Sequence, residues 1–156
     1  MLIGQYQTKL GINGRCALPA IFRGIIGENG IIAKWYEGCL VITGIDGWNA
    51  LLDKLTGKSE IYSTPVRETD RFILGSAFEV NLDSQGRFVI PKVLRAYAKL
   101  STEVIFIGLG NRVELWDLRL WQIKEQEVQK NASDMIEKLE TRESNQRNEK
   151  FNKKAD

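Results

Sequence analysis

"LDSQGRFVIPKVLRAYAKL", which spans Leu82 to Leu100, carries three local structure signals in one continuous run. Gln85-Gly86 is typical of a turn, and the apolar residues after Arg87 predict a short strand. Pro91 favours the first turn of a helix, because proline lacks the N–H that a helix start leaves unpaired. Arg87 therefore stands where a turn becomes a strand.

The same order of residues occurs near the N-terminus. At one constant spacing the chain repeats Leu10 as Leu82, Gly14 as Gly86, Arg15 as Arg87, Pro19 as Pro91, Arg23 as Arg95 and Gly38 as Gly110, and one further residue of offset relates Trp48 to Trp121. These identities fall on turn glycines, helix-starting prolines and arginines. The pattern predicts two copies of one structural unit.

Each copy is predicted to contain a strand, a Gly-Arg turn, a short strand, a helix that begins with proline, and a hairpin followed by a second helix. A unit of this size buries little apolar surface alone, so we expect the two copies to interleave their hairpins around one barrel-like core. The predicted class is mainly β with peripheral helices, an α+β fold made of two pseudo-symmetric halves.

Four segments are predicted along the chain. They are a first domain at 1–55, a linker with a short helix at 56–75, a second domain at 76–122, and a C-terminal helix with a frayed tail at 123–156. In the linker, Ser63-Thr64-Pro65 predicts a helix that continues to about Leu74. The C-terminal helix is expected to fray after Glu140, where apolar residues become rare. Its earlier apolar spacing, at Val128, Ala132, Met135 and Leu139, fits either a helix packed on its own chain or a coiled-coil contact.

The composition argues against enzymatic and metal chemistry. The chain has no histidine, which excludes histidine-dependent triads and histidine metal ligands. Cys16 and Cys39 are far apart and are expected to be small buried hydrophobes. The glycines at Gly108 and Gly110 are followed by alternating residues typical of a hairpin, not by the helix of a dinucleotide site. We therefore expect no enzyme activity, cofactor, metal or small-molecule substrate.

The sequence also indicates where the protein is found. No stretch approaches the roughly 20 apolar residues that span a bilayer, and the N-terminal run lacks the order of a signal peptide. We expect a cytoplasmic protein without a membrane partner.

Positive charge is concentrated on the repeated segments, although the net charge is only +2. Acidic residues are absent from Met1 to Gly27 and again from Ser84 to Thr102. The basic residues in these two segments are Lys9, Arg15 and Arg23 in the first and Arg87, Lys92, Arg95 and Lys99 in the second. Because both segments coincide with the repeat, they favour a shared anionic partner.

The repeated arginines have two interpretations that the residues alone leave open. Arg15 and Arg87 could project from one face and reach base edges in a DNA groove, while the other basic side chains meet phosphates. Alternatively, Arg87 could form a bidentate salt bridge with Asp83, four residues before it, that only closes the loop.

The motif that ends at Arg87 resembles one found in a known family. Asp83-Ser84-Gln85-Gly86-Arg87, followed by Phe88 to Pro91, is similar to the D-x-x-x-R motif of the MraZ family of bacterial transcriptional regulators. The first copy, Gly11 to Arg15, matches the motif less fully, and "FIGLGNRVELWDLRLW" from Phe106 to Trp121 is similar to the family's second hairpin. The resemblance covers Gln5 to about Val128.

This resemblance implies two swapped-hairpin domains of the SpoVT/AbrB type, with Asp83, Arg87 and Arg15 in the DNA-binding motif. It further implies a nucleoid-associated, ring-like homo-oligomer that binds promoter direct repeats upstream of the division and cell-wall gene cluster, which includes its own gene. Gly11 stands where the family motif has aspartate, so we expect Arg15 to be held less well than Arg87. The alternative function is a non-enzymatic protein-interaction or oligomeric scaffold module with the same fold.

Overall fold

The computed structural model describes residues 1–27, 29–55 and 63–152, and shows a mixed α+β fold with antiparallel sheets. The elements are β1 (Leu2–Lys9), β2 (Arg15–Ala17), α1 (Ala20–Ile26), β3 (Asn29–Lys34), β4 (Leu40–Gly44), α2 (Ile45–Leu55), α3 (Thr64–Ile73), β5 (Phe78–Asn81), β6 (Arg87–Val89), α4 (Lys92–Tyr97), β7 (Glu103–Gly110), β8 (Val113–Asp117) and α5 (Leu118–Asn152). Short 3-10 turns occupy Tyr36–Gly38 and Leu74–Ser76.

The strand order shows that the two copies interleave. The larger sheet runs β1-β7-β8-β4-β3-β5. The β3–β4 hairpin of the first copy pairs through β3 with β5, the first strand of the second copy, and the β7–β8 hairpin of the second copy pairs through β7 with β1, the first strand of the first copy. The two hairpins meet at the centre through β4 and β8, and β2 pairs with β6 in a separate two-stranded sheet. The prediction of interleaved hairpins is therefore confirmed.

The predicted barrel, in contrast, is not closed. Strands β1 and β5 are the edges of the larger sheet, and no ladder joins them among the described residues. The reason is that the strands which follow them, β2 and β6, leave the larger sheet and pair with each other. The fold has an open sheet and a short ribbon where the sequence predicts barrel-like halves.

Both copies contribute to one hydrophobic core. Helix α1 begins directly after Pro19 and buries Phe22, while α4 begins directly after Pro91 and buries Leu94. These side chains share a cluster with residues of the large sheet, including Ile32, Leu40, Phe106 and Leu115. Because this cluster contains side chains of both copies, the copies share one core, and Met1–Leu118 forms one compact unit.

The helices outside the repeat follow the sequence in part. Helix α3 agrees with the helix predicted after Ser63, whereas residues 56–62 of the predicted linker lie outside the described residues. Helix α5 continues to Asn152, beyond Glu140, where the sequence predicts fraying. Half of residues 141–152 are arginine, glutamate, glutamine or lysine, which favour the helical conformation. None of the described helices is both long enough and apolar enough to cross a membrane.

Candidate nucleic-acid interface

The β2–β6 ribbon places Arg15 and Arg87 on one face. Its antiparallel register sets Arg15 opposite Val89 and Arg87 opposite Ala17. Side chains of a strand alternate between faces, so these four residues point one way, while Cys16 and Phe88 point into the core and are buried. The two arginines are diagonal neighbours across the ribbon, and the Cα atoms of such neighbours typically lie about 7–8 Å apart. The outward face of the ribbon therefore carries two guanidinium groups at a short spacing.

The backbones of the two turns are nearly identical. In the first turn, the Gly11 N–H donates to the Arg15 carbonyl at 2.8 Å, and the Gly14 N–H donates to the Gly11 carbonyl at 2.9 Å. In the second turn, Asp83 takes the place of Gly11, and the equivalent distances are 2.9 Å and 2.8 Å.

Both turns require a glycine at the position before the arginine. Gly14 has a φ of 79° and Gly86 a φ of 72°, a left-handed conformation that other residues adopt at a cost. The repeated glycine of the sequence is thus explained by the shape of the turn.

Asp83 adds three hydrogen bonds to the second turn. Its Oδ1 accepts hydrogen bonds from the backbone N–H groups of Gln85 and Arg87, each at 2.9 Å. Its Oδ2 accepts from Nε of Arg87, also at 2.9 Å. The backbone hydrogen bond from Arg87, followed by the Arg87 side-chain bond and the Gln85 backbone bond, holds the pKa of Asp83 below its ordinary value. The first turn has Gly11 at this position and so lacks the carboxylate.

The salt bridge of one interpretation of Arg87 is present, and the base contact of the other stays a prediction. The salt bridge with Asp83 forms, but the guanidinium contributes Nε alone to the hydrogen bonds found among the described residues. The Arg87 side chain remains 39% exposed and that of Asp83 34% exposed. No hydrogen bond of the terminal nitrogens of Arg87 is found among the described residues, so the carboxylate contacts one edge of the guanidinium and leaves part of the side chain exposed.

The other predicted basic residues fall into two groups. Lys9, Lys92 and Lys99 are exposed, at the end of β1, at the start of α4 and just after α4. Arg23 and Arg95 are half-buried, and each donates its Nε–H to a backbone carbonyl, Arg23 to Leu18 at 2.8 Å and Arg95 to Ile90 at 3.0 Å. The lysines point to solvent, whereas the helical arginines are held against the protein.

The sequence prediction missed a second role of Gly14 and Gly86. A Cβ added to Gly86 would meet the side chain of Arg23, and one added to Gly14 would meet that of Arg95. Each glycine is thus packed against the side chain of an arginine from the other copy. The signal in the sequence is the joint repetition of glycine and helical arginine, but it does not say which glycine faces which arginine.

The thiols and acidic groups offer no second kind of site. Cys16 is buried, and desolvation raises its pKa to about 12, so it is a thiol at neutral pH. Burial also raises the pKa of Cys39, with further increases from Glu114 and Glu37. Within the described residues, no cluster of three histidine, cysteine or acidic side chains has the arrangement of a metal site. The repeated Gly-Arg turns are the candidate site.

The amino-acid sequence of this chain matches a family of transcriptional regulators. Residues 73–143 match the family model described as "MraZ protein, putative antitoxin-like". The chain is 38% identical over 122 residues to "Transcriptional regulator MraZ" of Caldanaerobacter subterraneus subsp. tengcongensis, a match that covers 78% of this chain and 85% of that protein. It is 35% identical over 143 residues to the protein of the same name from Leuconostoc citreum, with 89% and 96% covered.

This chain belongs to the MraZ family. The membership confirms the resemblance predicted from the Asp83 to Arg87 motif. It also confirms the prediction that the chain is not an enzyme, since the family consists of transcriptional regulators.

Proposed function

We propose that this chain is a sequence-specific DNA-binding regulator of transcription in which Arg15 and Arg87 read base edges. The observation that carries the proposal is the position of both arginines on the outward face of the β2–β6 ribbon. A two-stranded ribbon fits the major groove, and a guanidinium can donate two parallel hydrogen bonds to O6 and N7 of guanine. The name of the relatives, transcriptional regulator, supports the same class of activity.

Exposed lysines supply the contacts that do not depend on sequence. Lys9, Lys92 and Lys99 point to solvent and meet phosphates, which fixes the register of the protein on the duplex. Arg23 and Arg95, predicted for the same role, already donate Nε–H to the protein backbone. We include them in the interface because their side chains pack against the turns that carry Arg15 and Arg87.

Asp83 belongs to the interface as the group that orients Arg87. Its hydrogen bonds fix the turn and one side of the guanidinium, so less side-chain freedom is lost when Arg87 meets a base. Arg15 has no such partner, because Gly11 lacks a side chain. The second copy therefore contributes the stronger base contact.

The proposed assembly rests on the weak binding expected of one protomer, and the proposed target rests on the resemblance to the MraZ family. A net charge of +2 gives little general attraction to DNA, so several protomers in a ring-like homo-oligomer engage direct repeats together. The repeats lie in the promoter upstream of the division and cell-wall gene cluster, including the protein's own gene, which places the protein on the nucleoid in the cytoplasm. The two interleaved copies, residues 1–55 and 76–122, are two domains of the SpoVT/AbrB type.

The test is a binding titration of the full chain on its own upstream DNA. Arg87→Ala should abolish specific binding and Arg15→Ala should weaken it by about 10- to 100-fold, the discrimination of about 1–3 kcal/mol expected for one bidentate arginine–guanine contact. Arg71→Ala is the matched control, because Arg71 is an exposed arginine on α3 that pairs with Glu68 and lies outside both turns. A scrambled duplex of equal length measures non-specific binding.

The same titration separates the alternative, a scaffold in which Asp83 and Arg87 only close a loop. Phosphate-driven binding weakens steeply between low and moderate salt. A chain that shifts no DNA at any salt concentration, or an Arg87→Ala variant that binds as tightly as Arg71→Ala, would refute the proposed function and favour the scaffold.

A further inference from the structure

Arg23 connects the first copy to the turn of the second. It lies on α1 and donates Nε–H to the Leu18 carbonyl at 2.8 Å. A Cβ added to Gly86 would lie 2.7 Å from Cδ of Arg23 and closer still to Nε and Cζ. The side chain of Arg23 therefore lies directly against the Cα of Gly86, with no room for another atom between them.

Leu18 completes a closed set of contacts. Its backbone N–H donates to the Gly86 carbonyl at 2.9 Å, while its own carbonyl accepts from Arg23. Arg23 thus contacts Gly86 directly and is also linked to it through the Leu18 backbone. Two routes join the same pair of residues, so Gly86 is fixed relative to α1.

The other copy repeats these contacts. Arg95, on α4, donates Nε–H to the Ile90 carbonyl at 3.0 Å, and the Ile90 N–H donates to the Gly14 carbonyl at 2.8 Å. A Cβ added to Gly14 would lie 2.6 Å from Nε of Arg95, 2.8 Å from Cζ and 2.9 Å from Cδ. Each helix therefore holds the turn of the opposite copy.

The contact between a helical arginine and a turn glycine explains why these two residue types occur together. A guanidinium is flat and presents a fixed Nε–H, so it can lie against a backbone while it donates to a carbonyl. Glycine allows this approach and also the left-handed conformation of the turn. Lysine has a flexible stem and a point charge, and would give neither the flat contact nor the directed hydrogen bond.

We infer that Arg23 and Arg95 are positioning residues that act across the two copies: Arg23 sets the orientation of Arg87, and Arg95 sets that of Arg15. The consequence for DNA rests on the proposed function, whereas the contacts themselves do not. The inference differs from the role predicted from charge alone, in which both helical arginines are independent phosphate contacts.

The first test uses combined variants and DNA affinity. Arg23→Ala and Arg95→Ala should each lower the affinity for the upstream DNA by about 5- to 20-fold. In an Arg15→Ala background, Arg95→Ala should add almost no further loss, because the arginine that it positions is already gone. Arg23→Ala should retain its full effect there, because it acts on Arg87. Full additivity of both variants, or the reverse pairing, would overturn the inference.

Arg23→Lys distinguishes positioning from phosphate contact. A lysine keeps the charge, so a phosphate contact would be largely restored by it. A positioning role predicts that Arg23→Lys binds nearly as weakly as Arg23→Ala, with an unchanged slope of affinity against salt. Recovery of affinity in Arg23→Lys would refute the inference, and the Arg71→Ala control should match the unmodified chain.

The second test needs no DNA and so stands apart from the proposed function. Amide hydrogen exchange of the full chain should become faster at 82–87 in Arg23→Ala and unchanged at 10–15, with the opposite result in Arg95→Ala. If Arg23→Ala does not fold, Arg23→Lys gives the same comparison in milder form. Faster exchange confined to the turn of the same copy would contradict the cross-copy contact. A chain that shows the expected exchange but binds no DNA would refute the proposed function alone.

Discussion

The turns at Leu10–Arg15 and Leu82–Arg87 have the same backbone but not the same side-chain support. Their two internal backbone hydrogen bonds differ by no more than 0.1 Å between copies, and both contain a glycine with a positive φ. The second turn has Asp83 to orient its arginine, while the first has Gly11. A carboxylate is therefore not needed to form the turn, and its role lies in the order of the arginine side chain.

The comparison separates two sources of order. The shape of each turn depends on its glycine and on the arginine that the opposite copy places against it. Within the placed turn, the side chain of the outward arginine depends in addition on the local carboxylate, which one copy has and the other lacks. Changes to the first source should affect the fold as well as binding, whereas changes to the second should mainly alter binding.

The largest effect is expected from a side chain at the turn glycines. Gly86→Ala should lower the free energy of unfolding by about 2–4 kcal/mol, since the left-handed conformation costs about 1–2 kcal/mol and displacement of Arg23 leaves the Leu18 carbonyl without its donor. Gly14→Ala should have a slightly smaller effect, because its added Cβ would lie less close to the opposing arginine. Urea unfolding followed by circular dichroism, at one protein concentration, measures both.

Gly24→Ala is the control for these two variants. Gly24 lies on α1 next to Arg23, and a Cβ added there meets nothing within 4 Å. In a helix, alanine is more favourable than glycine by up to about 1 kcal/mol, so this variant should be as stable as the parent or more so. If Gly86→Ala unfolds at the same urea concentration as Gly24→Ala, the shape of the turn does not depend on the opposing arginine.

Much of each copy and the interleaving of the two could be predicted from the sequence, whereas the particular side-chain contacts between copies could not. The helix starts after Pro19 and Pro91, the Gly-Arg turns and the interleaving of hairpins follow from short patterns and from the size of one copy. The role of Arg23 does not, because charge patterning shows that a residue is basic but not which glycine its side chain lies against. The absence of a closed barrel could not be predicted from the sequence either, since it depends on β2 and β6 pairing across the copies.

The carboxylate difference can be removed by giving the first turn an aspartate. Gly11 has no positive φ, so Gly11→Asp introduces no left-handed strain, although its Cβ would lie 3.3 Å from the Arg15 carbonyl oxygen and the turn must shift slightly. By analogy with Asp83, the new carboxylate should accept from the Arg15 backbone and side chain. We expect the affinity for the upstream DNA to rise by about 2- to 5-fold, within the range of one partly exposed charge-assisted hydrogen bond.

Gly11→Ala provides the matched control, because it restricts the unfolded backbone in the same way but adds no carboxylate. Its DNA affinity should equal that of the parent. An equal gain in Gly11→Ala and Gly11→Asp would show that backbone restriction, not the carboxylate, limits the first turn. The reverse variant, Asp83→Gly, should make the second turn bind as weakly as the first.

The smallest effect is a pH dependence confined to the second turn. The folded-state pKa of Asp83 lies below its ordinary value of 3.8, chiefly because the Arg87 backbone N–H donates to the ionised carboxylate. A lowered folded-state pKa means that the stabilisation is fully present above the ordinary value and is lost as the pH falls through the folded-state value. An NMR titration of the Asp83 carboxylate carbon from about pH 5 to about pH 2 should therefore give a midpoint below 3.8. The Arg87 amide should shift with the same midpoint, while the Arg15 amide should not, because Gly11 has no group that titrates there. A midpoint at or above 3.8 would mean that Asp83 does not hold the second turn in solution.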